Sequence, residues 1–150
     1  SYLAAVILNV IQTKEKFLSK AIEFDEFENL LHKAFRGKTP ICVTMNNSKV
    51  YVGIVKNTVK PDQSRRAISI WPYINGFRAK DSGKLEFTTY YSDIYDKITE
   101  QIKANINSNI KVMPEDFEIV LPTDKMVSIS IFDLGAWELF QFSPDKDNRI

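Results

Sequence analysis

Between Lys49 and Lys84 the chain carries eight cations, Lys49, Lys56, Lys60, Arg65, Arg66, Arg78, Lys80 and Lys84, against two acids, Asp62 and Asp81. Trp71, Tyr73 and Phe77 are interleaved with the arginines. Guanidinium groups beside aromatic faces hold a phosphate backbone while bases stack, which is what single-stranded nucleic acid binding requires. Anionic lipid headgroups satisfy the same cations. The candidate ligand-binding residues are therefore Arg65, Arg66, Arg78, Trp71 and Tyr73. The competing reading is ordinary surface charge. From Val112 to Ile150 there are three cations against eight acids, enough to neutralise the basic segment within the fold. The string Trp71-Pro-Tyr-Ile-Asn-Gly-Phe77 adds a further option. Aromatics flanking Pro and Gly line peptide grooves, or they plug the end of a small barrel, and the plug is favoured.

Other reactive side chains point away from catalysis. His32 sits beside Leu30-Leu31 with no nucleophile motif to serve, and a catalytic histidine needs a positioned partner. The chain has no G-x-S-x-G, H-E-x-x-H or phosphate-binding glycine loop. Acids gather at Asp25-Glu26-Glu28 and Glu115-Asp116-Glu118. Paired carboxylates serve acid–base work or hold Mg²⁺, but the first group suits a helix N-terminus and the second a solvated loop. Cys42 is the single cysteine; it excludes an internal disulfide and reads as a buried thiol. One cysteine and one histidine offer no metal-ligand cluster. No cofactor or metal is expected, and the chain reads as a non-enzyme.

These residues must be positioned by a small domain. At 150 residues, with 44% hydrophobic and 12% aromatic residues and a net charge of +1, the chain is long enough for one core and carries no global charge argument. Residues 1–36 read as helical, with apolar residues at Phe17, Leu18, Ile22, Phe24, Phe27, Leu30, Leu31 and Phe35. A break is expected near Glu23-Phe24, where Asp25 and Glu28 make a capping pattern, and Gly37 is the expected C-cap. Ile41, Val43 and Met45 share one strand face. Val50, Val52 and Ile54 share a face of the next, across Asn46-Asn47-Ser48. Val43 and Val52 are both expected to face the core. Gly53 marks a bend or a close backbone approach.

Lys60-Pro-Asp-Gln-Ser64 reads as a loop. Ala67–Trp71 is a third strand stopped by Pro72, and Tyr73–Arg78 is extended. Lys80–Lys84 is a turn, and Leu85–Tyr91 alternates again. Ile94, Ile98, Ile102 and Ile106 recur every four residues, which predicts an amphipathic helix near 93–105. Phe117–Leu121 and Met126–Phe132 are two more strands, joined by Pro122–Lys125. Asp133 caps a short helix carrying Leu134, Trp137 and Phe140, and 143–150 is a polar tail. The β-rich core thus covers 38–142, within one domain over 1–150.

Gly37-Lys38, a strand, an Asn-rich turn and Val50-Tyr-Val-Gly53 resemble the first motif of Sm-like proteins, in which a helix precedes that strand. The resemblance covers Phe27 to Trp71 and implies a small barrel of the Sm-like or SH3-like kind. The stretch Arg66-Ala-Ile-Ser-Ile-Trp71 lacks the acid and asparagine of the Sm-like RNA pocket, and the second motif is absent. The segments Lys49–Gly53, Leu85–Tyr90 and Val127–Asp133 also resemble bacterial proteins of unknown function that carry such a domain after transmembrane helices. That likeness bears on Tyr2-Leu-Ala-Ala-Val-Ile-Leu-Asn-Val-Ile11. Ten residues are too few to span a bilayer, which takes roughly 20. The run reads either as a packed helix of the domain or as the cytosolic end of a membrane helix.

The expectation is an α+β domain: N-terminal helices on a strongly bent antiparallel sheet or small barrel, with one crossover helix. Its expected role is a non-catalytic binding or regulatory module in the cytoplasm, either free or tethered to the inner membrane through a segment upstream of residue 1. A protein partner or anionic lipid is favoured. The alternative is Sm-like nucleic-acid binding through 49–84, and an enzyme without a recognisable motif comes third.

Overall fold

A computed structural model of the chain describes residue 12 and residues 26–56, 66–105 and 109–141. The expectations for Tyr2–Ile11, the Glu23–Asp25 break, the Lys60–Ser64 loop and the tail from Ser143 lie outside these residues.

Helix α1 (26–37) lays Phe27, Leu30, Leu31 and Ala34 onto the sheet, at the spacing that makes one apolar face. Its end differs from expectation. The left-handed residue is Lys38, with φ 49°, one position beyond Gly37. Lys38 N–H donates to the Phe35 carbonyl at 3.2 Å and Thr39 N–H to the Ala34 carbonyl at 2.9 Å, the bond pair that closes a helix.

Strands β1 (Ile41–Met45), β2 (Lys49–Val55) and β3 (Ala67–Arg78) form an antiparallel meander. β4 (Leu85–Tyr90) pairs with the second half of β3 and β5 (Ile119–Pro122) with the first half. β6 (Met126–Ile131) returns to pair with β1. The order is β4-β3-β2-β1-β6, with β5 beside β3. Among the described residues the ladders do not close into a barrel, because β5 and β6 each pair on one side only.

Three register shifts bend the sheet. Val52 pairs with Ile74 but Gly53 with Pro72, so Tyr73 is an extra residue in β3. Similar shifts lie between Asn75 and Gly76 and between Thr44 and Met45. A bulge adds twist and bends its strand. Gly53 is required at the first one, since a Cβ there would stand 2.4 Å from the Trp71 carbonyl oxygen. Pro72 does not stop β3, as its ring suggests it should. It sits at the bulge, a place where a strand tolerates proline.

The bulge also divides the core. Ile41, Val43, Met45, Val55, Ile68, Ile70 and Leu121 pack with α1 on one face of the sheet. Cys42, Val50, Val52, Ile74 and Phe132 form a second cluster with Leu85, Phe87 and Trp137 on the other. Val43 and Val52 are both fully buried, as expected, but on opposite faces. Val52 lies opposite Cys42, and Val43 opposite Tyr51. β1 is covered on both faces, so all five of its residues are buried. β2 alternates without a break through Gly53, with Tyr51 and Val55 against the first cluster and Val50 and Val52 against the second, and Ile54 is half-buried.

Helix α2 (Tyr91–Lys103) passes the gap that β4 and β5 leave beside Trp71–Tyr73. The isoleucine stripe does not bury it: Ile94 and Ile102 are exposed, and Tyr95 is its buried residue. The Tyr95 ring stacks on Trp71 at 4.8 Å and meets Phe117 edge-on at 5.5 Å. Its hydroxyl donates to the Pro72 carbonyl at 2.8 Å. That carbonyl belongs to the stretch that neither β4 nor β5 pairs, and the phenol that bonds it also fills the gap. Burial, with a smaller push from Tyr91, raises the Tyr95 phenol from 10.0 to about 12.

A 3₁₀ turn (Thr123–Lys125) joins β5 to β6. It is tied down by Asn46 N–H on the Lys125 carbonyl and Thr123 N–H on the Arg66 carbonyl. Asp133 caps α3 (Leu134–Gln141) as expected, its Oδ1 accepting from Ala136 N–H at 2.7 Å. Among the described residues no helix is long and apolar enough to cross a membrane.

Candidate ligand groove at the bend of the sheet

Four segments meet at the bend and enclose a groove of about 890 Å³. α1 and the residues after it bring Phe35, Arg36, Lys38 and Pro40. β2 brings Ile54 and Val55, the bulge of β3 brings Trp71 and Tyr73, and the stretch after β6 brings Phe132, Asp133 and Leu134. The walls are apolar, and the rim leaves Phe35, Tyr73 and Leu134 about two-fifths exposed (38%, 39% and 41%). A concave apolar site with a few polar groups at its edge is the usual form of a ligand pocket.

The bulge decides which aromatic is available. Tyr73, the unpaired residue, turns out into the groove wall. Trp71 is largely committed. One ring face stacks on Tyr95, nearly parallel at 8°, and its indole N–H donates to the Pro114 carbonyl at 2.7 Å. It contributes wall but no free donor.

Two cations stand at the rim. Arg36 and Lys38 are exposed, and among the described residues neither has a carboxylate within ion-pair distance. The left-handed backbone at Lys38 costs a side-chain-bearing residue more than it would cost glycine. Strain of this kind gathers at functional sites. Asp133 also lines the groove, but one of its oxygens is held by the α3 cap.

Of the five residues singled out by sequence, the four described ones are not gathered into one site. Trp71 and Tyr73 meet at the groove. Arg66 lies exposed just before β3 and Arg78 ends it, the length of the strand apart. Arg78 is anchored, with Nε donating to Thr44 Oγ1 at 3.1 Å and a terminal nitrogen near the Gly83 carbonyl at 3.4 Å. Arg65 lies outside the described residues.

The acidic stretch does reach the basic one, through Lys56. Its Nζ lies 3.2 Å from Glu118 Oε2 and 3.5 Å from the Glu115 carbonyl. Ser69 also donates to Glu118, and these bonds, Ser69 first and then Lys56, hold the Glu118 carboxyl below its usual range. Asp116 accepts from Met113 N–H at 2.8 Å. His32 is exposed on α1. Cys42 is buried, which pushes its thiol up against a smaller downward pull from Arg78. Among the described residues no three His, Cys, Asp or Glu side chains gather as a metal site.

Phe35, Arg36, Lys38 and Leu134 escaped the sequence reading. Phe35 and Leu134 look like core positions by their period. The local signal was an aromatic and two cations, Phe35-Arg-Gly-Lys38, at a helix end just before Pro40.

Comparison with protein-family models, with curated proteins and with solved structures finds no match for the chain.

Proposed function

We propose that this chain is a non-catalytic binding module whose groove at the sheet bend takes an extended protein segment with an apolar anchor and an acidic flank. The observation that carries this is the pairing of exposed Tyr73 with the rim cations Arg36 and Lys38, which have no ion-pair partner among the described residues, over an apolar floor. An apolar side chain entering the groove removes wall and rim from water, and carboxylates beside it meet the two cations. A nucleic acid is less well served. The Trp71 ring is engaged by Tyr95, and Arg66 and Arg78 lie at the two ends of β3.

A helix before a bent five-strand path, β5-β3-β2-β1-β6, with a 3₁₀ turn between the last two strands in sequence, supports an Sm-like or SH3-like reading of the architecture. β4 and α2 then form an insertion between β3 and β5. Architecture of this kind does not name a ligand. The apolar run Tyr2–Ile11 supports placing the module close to a membrane.

The test is selection from a displayed library of random short peptides, in parallel on the wild type and on the Phe35→Ala, Tyr73→Ala double variant. Enrichment of sequences joining Leu, Met or an aromatic to Asp or Glu, seen on the wild type alone, is the expected result. Identical pools on both proteins would overturn the groove as the site. Salt-steep binding of oligouridylate, with no peptide enriched, would replace the peptide reading by the nucleic-acid one.

A further inference from the structure

A second cleft, of about 450 Å³, lies on the other side of the Phe132–Asp133 segment, which lines both. Helix α3, the start of β4, and strands β1 and β6 surround it. Its apolar wall is made by Leu85, Ile131, Phe132, Trp137 and Phe140. The Phe87 ring supports Trp137 from behind, with ring centres 4.8 Å apart.

The charged groups of this cleft are unbalanced. Arg78 and Lys84 line it, and Asp133 is its acid. Asp133 is engaged at the α3 cap, and among the described residues no carboxylate lies within ion-pair distance of Arg78 or Lys84. Arg78 is also not free to swing. It is half-buried, and its Nε–H is fixed on Thr44 Oγ1, itself a buried side chain. A second N–H leans on the Gly83 carbonyl. The rest of the guanidinium fork has no protein partner among the described residues. A partly desolvated cation without a counter-ion is unfavourable unless something supplies the charge. A guanidinium held in one plane is preorganised for a two-oxygen anion.

We infer that this cleft binds an organic monocarboxylate with an apolar body, its carboxylate on Arg78 and Lys84 and its chain or ring against Trp137 and Phe132. The aromatic wall excludes a bare inorganic anion as the best occupant, because that would leave the apolar surface wet. The fixed fork excludes a neutral apolar molecule, because that would bury the cation unpaired.

The probe is octanoate, titrated against ¹⁵N-labelled protein while the two indole N–H resonances, told apart with Trp137→Phe, are followed. Octan-1-ol carries the body without the charge, and acetate the charge without the body. Octanoate is expected to move the Trp137 resonance saturably, with octan-1-ol and acetate each weaker by roughly tenfold or more. Arg78→Gln keeps a donor for Thr44 and should weaken octanoate by a similar factor, about tenfold. Lys84→Gln, on an exposed residue, should weaken it by a smaller factor. If Arg78→Gln loses its folded spectrum, Lys84→Gln and Arg78→Lys decide instead, and both must bind more weakly. A shift confined to Trp71, equal binding of octan-1-ol, undiminished binding by the variants, or no saturable shift would each overturn the site.

Discussion

The two clefts flanking Phe132–Asp133 are built on opposite plans. In the larger groove the recognition groups stand on the rim: Tyr73 is extruded by a bulge, and Arg36 and Lys38 sit at a helix end. In the smaller cleft the cation is held in place by Thr44 and Gly83 against an aromatic wall. Rim charges steer encounter and weaken with salt, whereas a fixed, partly buried charge orients what is bound. Residue type alone does not separate these cases, since each cleft offers arginine, lysine and an aromatic ring. The difference lies in which groups the backbone has already used.

The most disruptive way to break the comparison is Gly53→Val. A Cβ at this position collides with the Trp71 backbone, so the bulge that presents Tyr73 must rearrange. A loss of about 3–5 kcal/mol in urea melts is expected, with groove binding abolished; an unchanged midpoint would disprove the need for glycine there. Phe132→Ala removes the wall common to both clefts and should cost about 3 kcal/mol or more. Weakening of both ligands together is the expected readout, and loss of only one would show that the clefts are separately supported.

The Tyr95 phenol behind the groove makes a pH test. Its folded value is raised above 10.0, so the neutral form is the one the fold favours. The stabilisation is complete below pH 10 and is lost as pH rises towards 12, where the unfolded chain ionises more readily. Tyr95→Phe should flatten that stretch of the alkaline stability curve; an equally steep fall in the variant would assign it to other groups.

A smaller and opposite pair of effects is expected at Lys38. Lys38→Gly relieves the left-handed backbone and should raise stability by about 0.5–1 kcal/mol, while weakening an acidic peptide in the groove. Gains in both would remove Lys38 from the site. The smallest effect belongs to Glu118, whose carboxyl is held down by Ser69 and Lys56. That contribution is present above the usual carboxylate range and fades as acid protonates it. Glu118→Gln should therefore show a slightly shallower acid limb in thermal melts and leave both clefts unaffected.

Local rules already carried much of the fold. The β1–β2 hairpin, the turn before β4, the α2 span and the Asp133 cap follow from alternation, turn residues and helix period, which are set by neighbours within a few positions. The α+β class follows from their order. Gly53 was legible as a point of close approach, and Trp71–Phe77 as an unusual string.

What tertiary structure decided is which of those residues remain available. Pro72 reads locally as a strand end, yet a bulge opposite Gly53 carries β3 through it and flips the phase of Tyr73. The isoleucines of α2 repeat like a core stripe, yet the gap beside Pro72 selects Tyr95 for burial. Arg66, Arg78, Trp71 and Tyr73 are close in sequence, but a 12-residue strand separates the arginines, and Tyr95 and Thr44 engage Trp71 and Arg78. Phe35, Lys38 and Leu134 are distant in sequence and meet because α1 and the end of β6 converge on the bend. Residue types are written locally and state what a side chain can bind. Register, bulges and long-range packing determine whether its partner is the protein or a ligand.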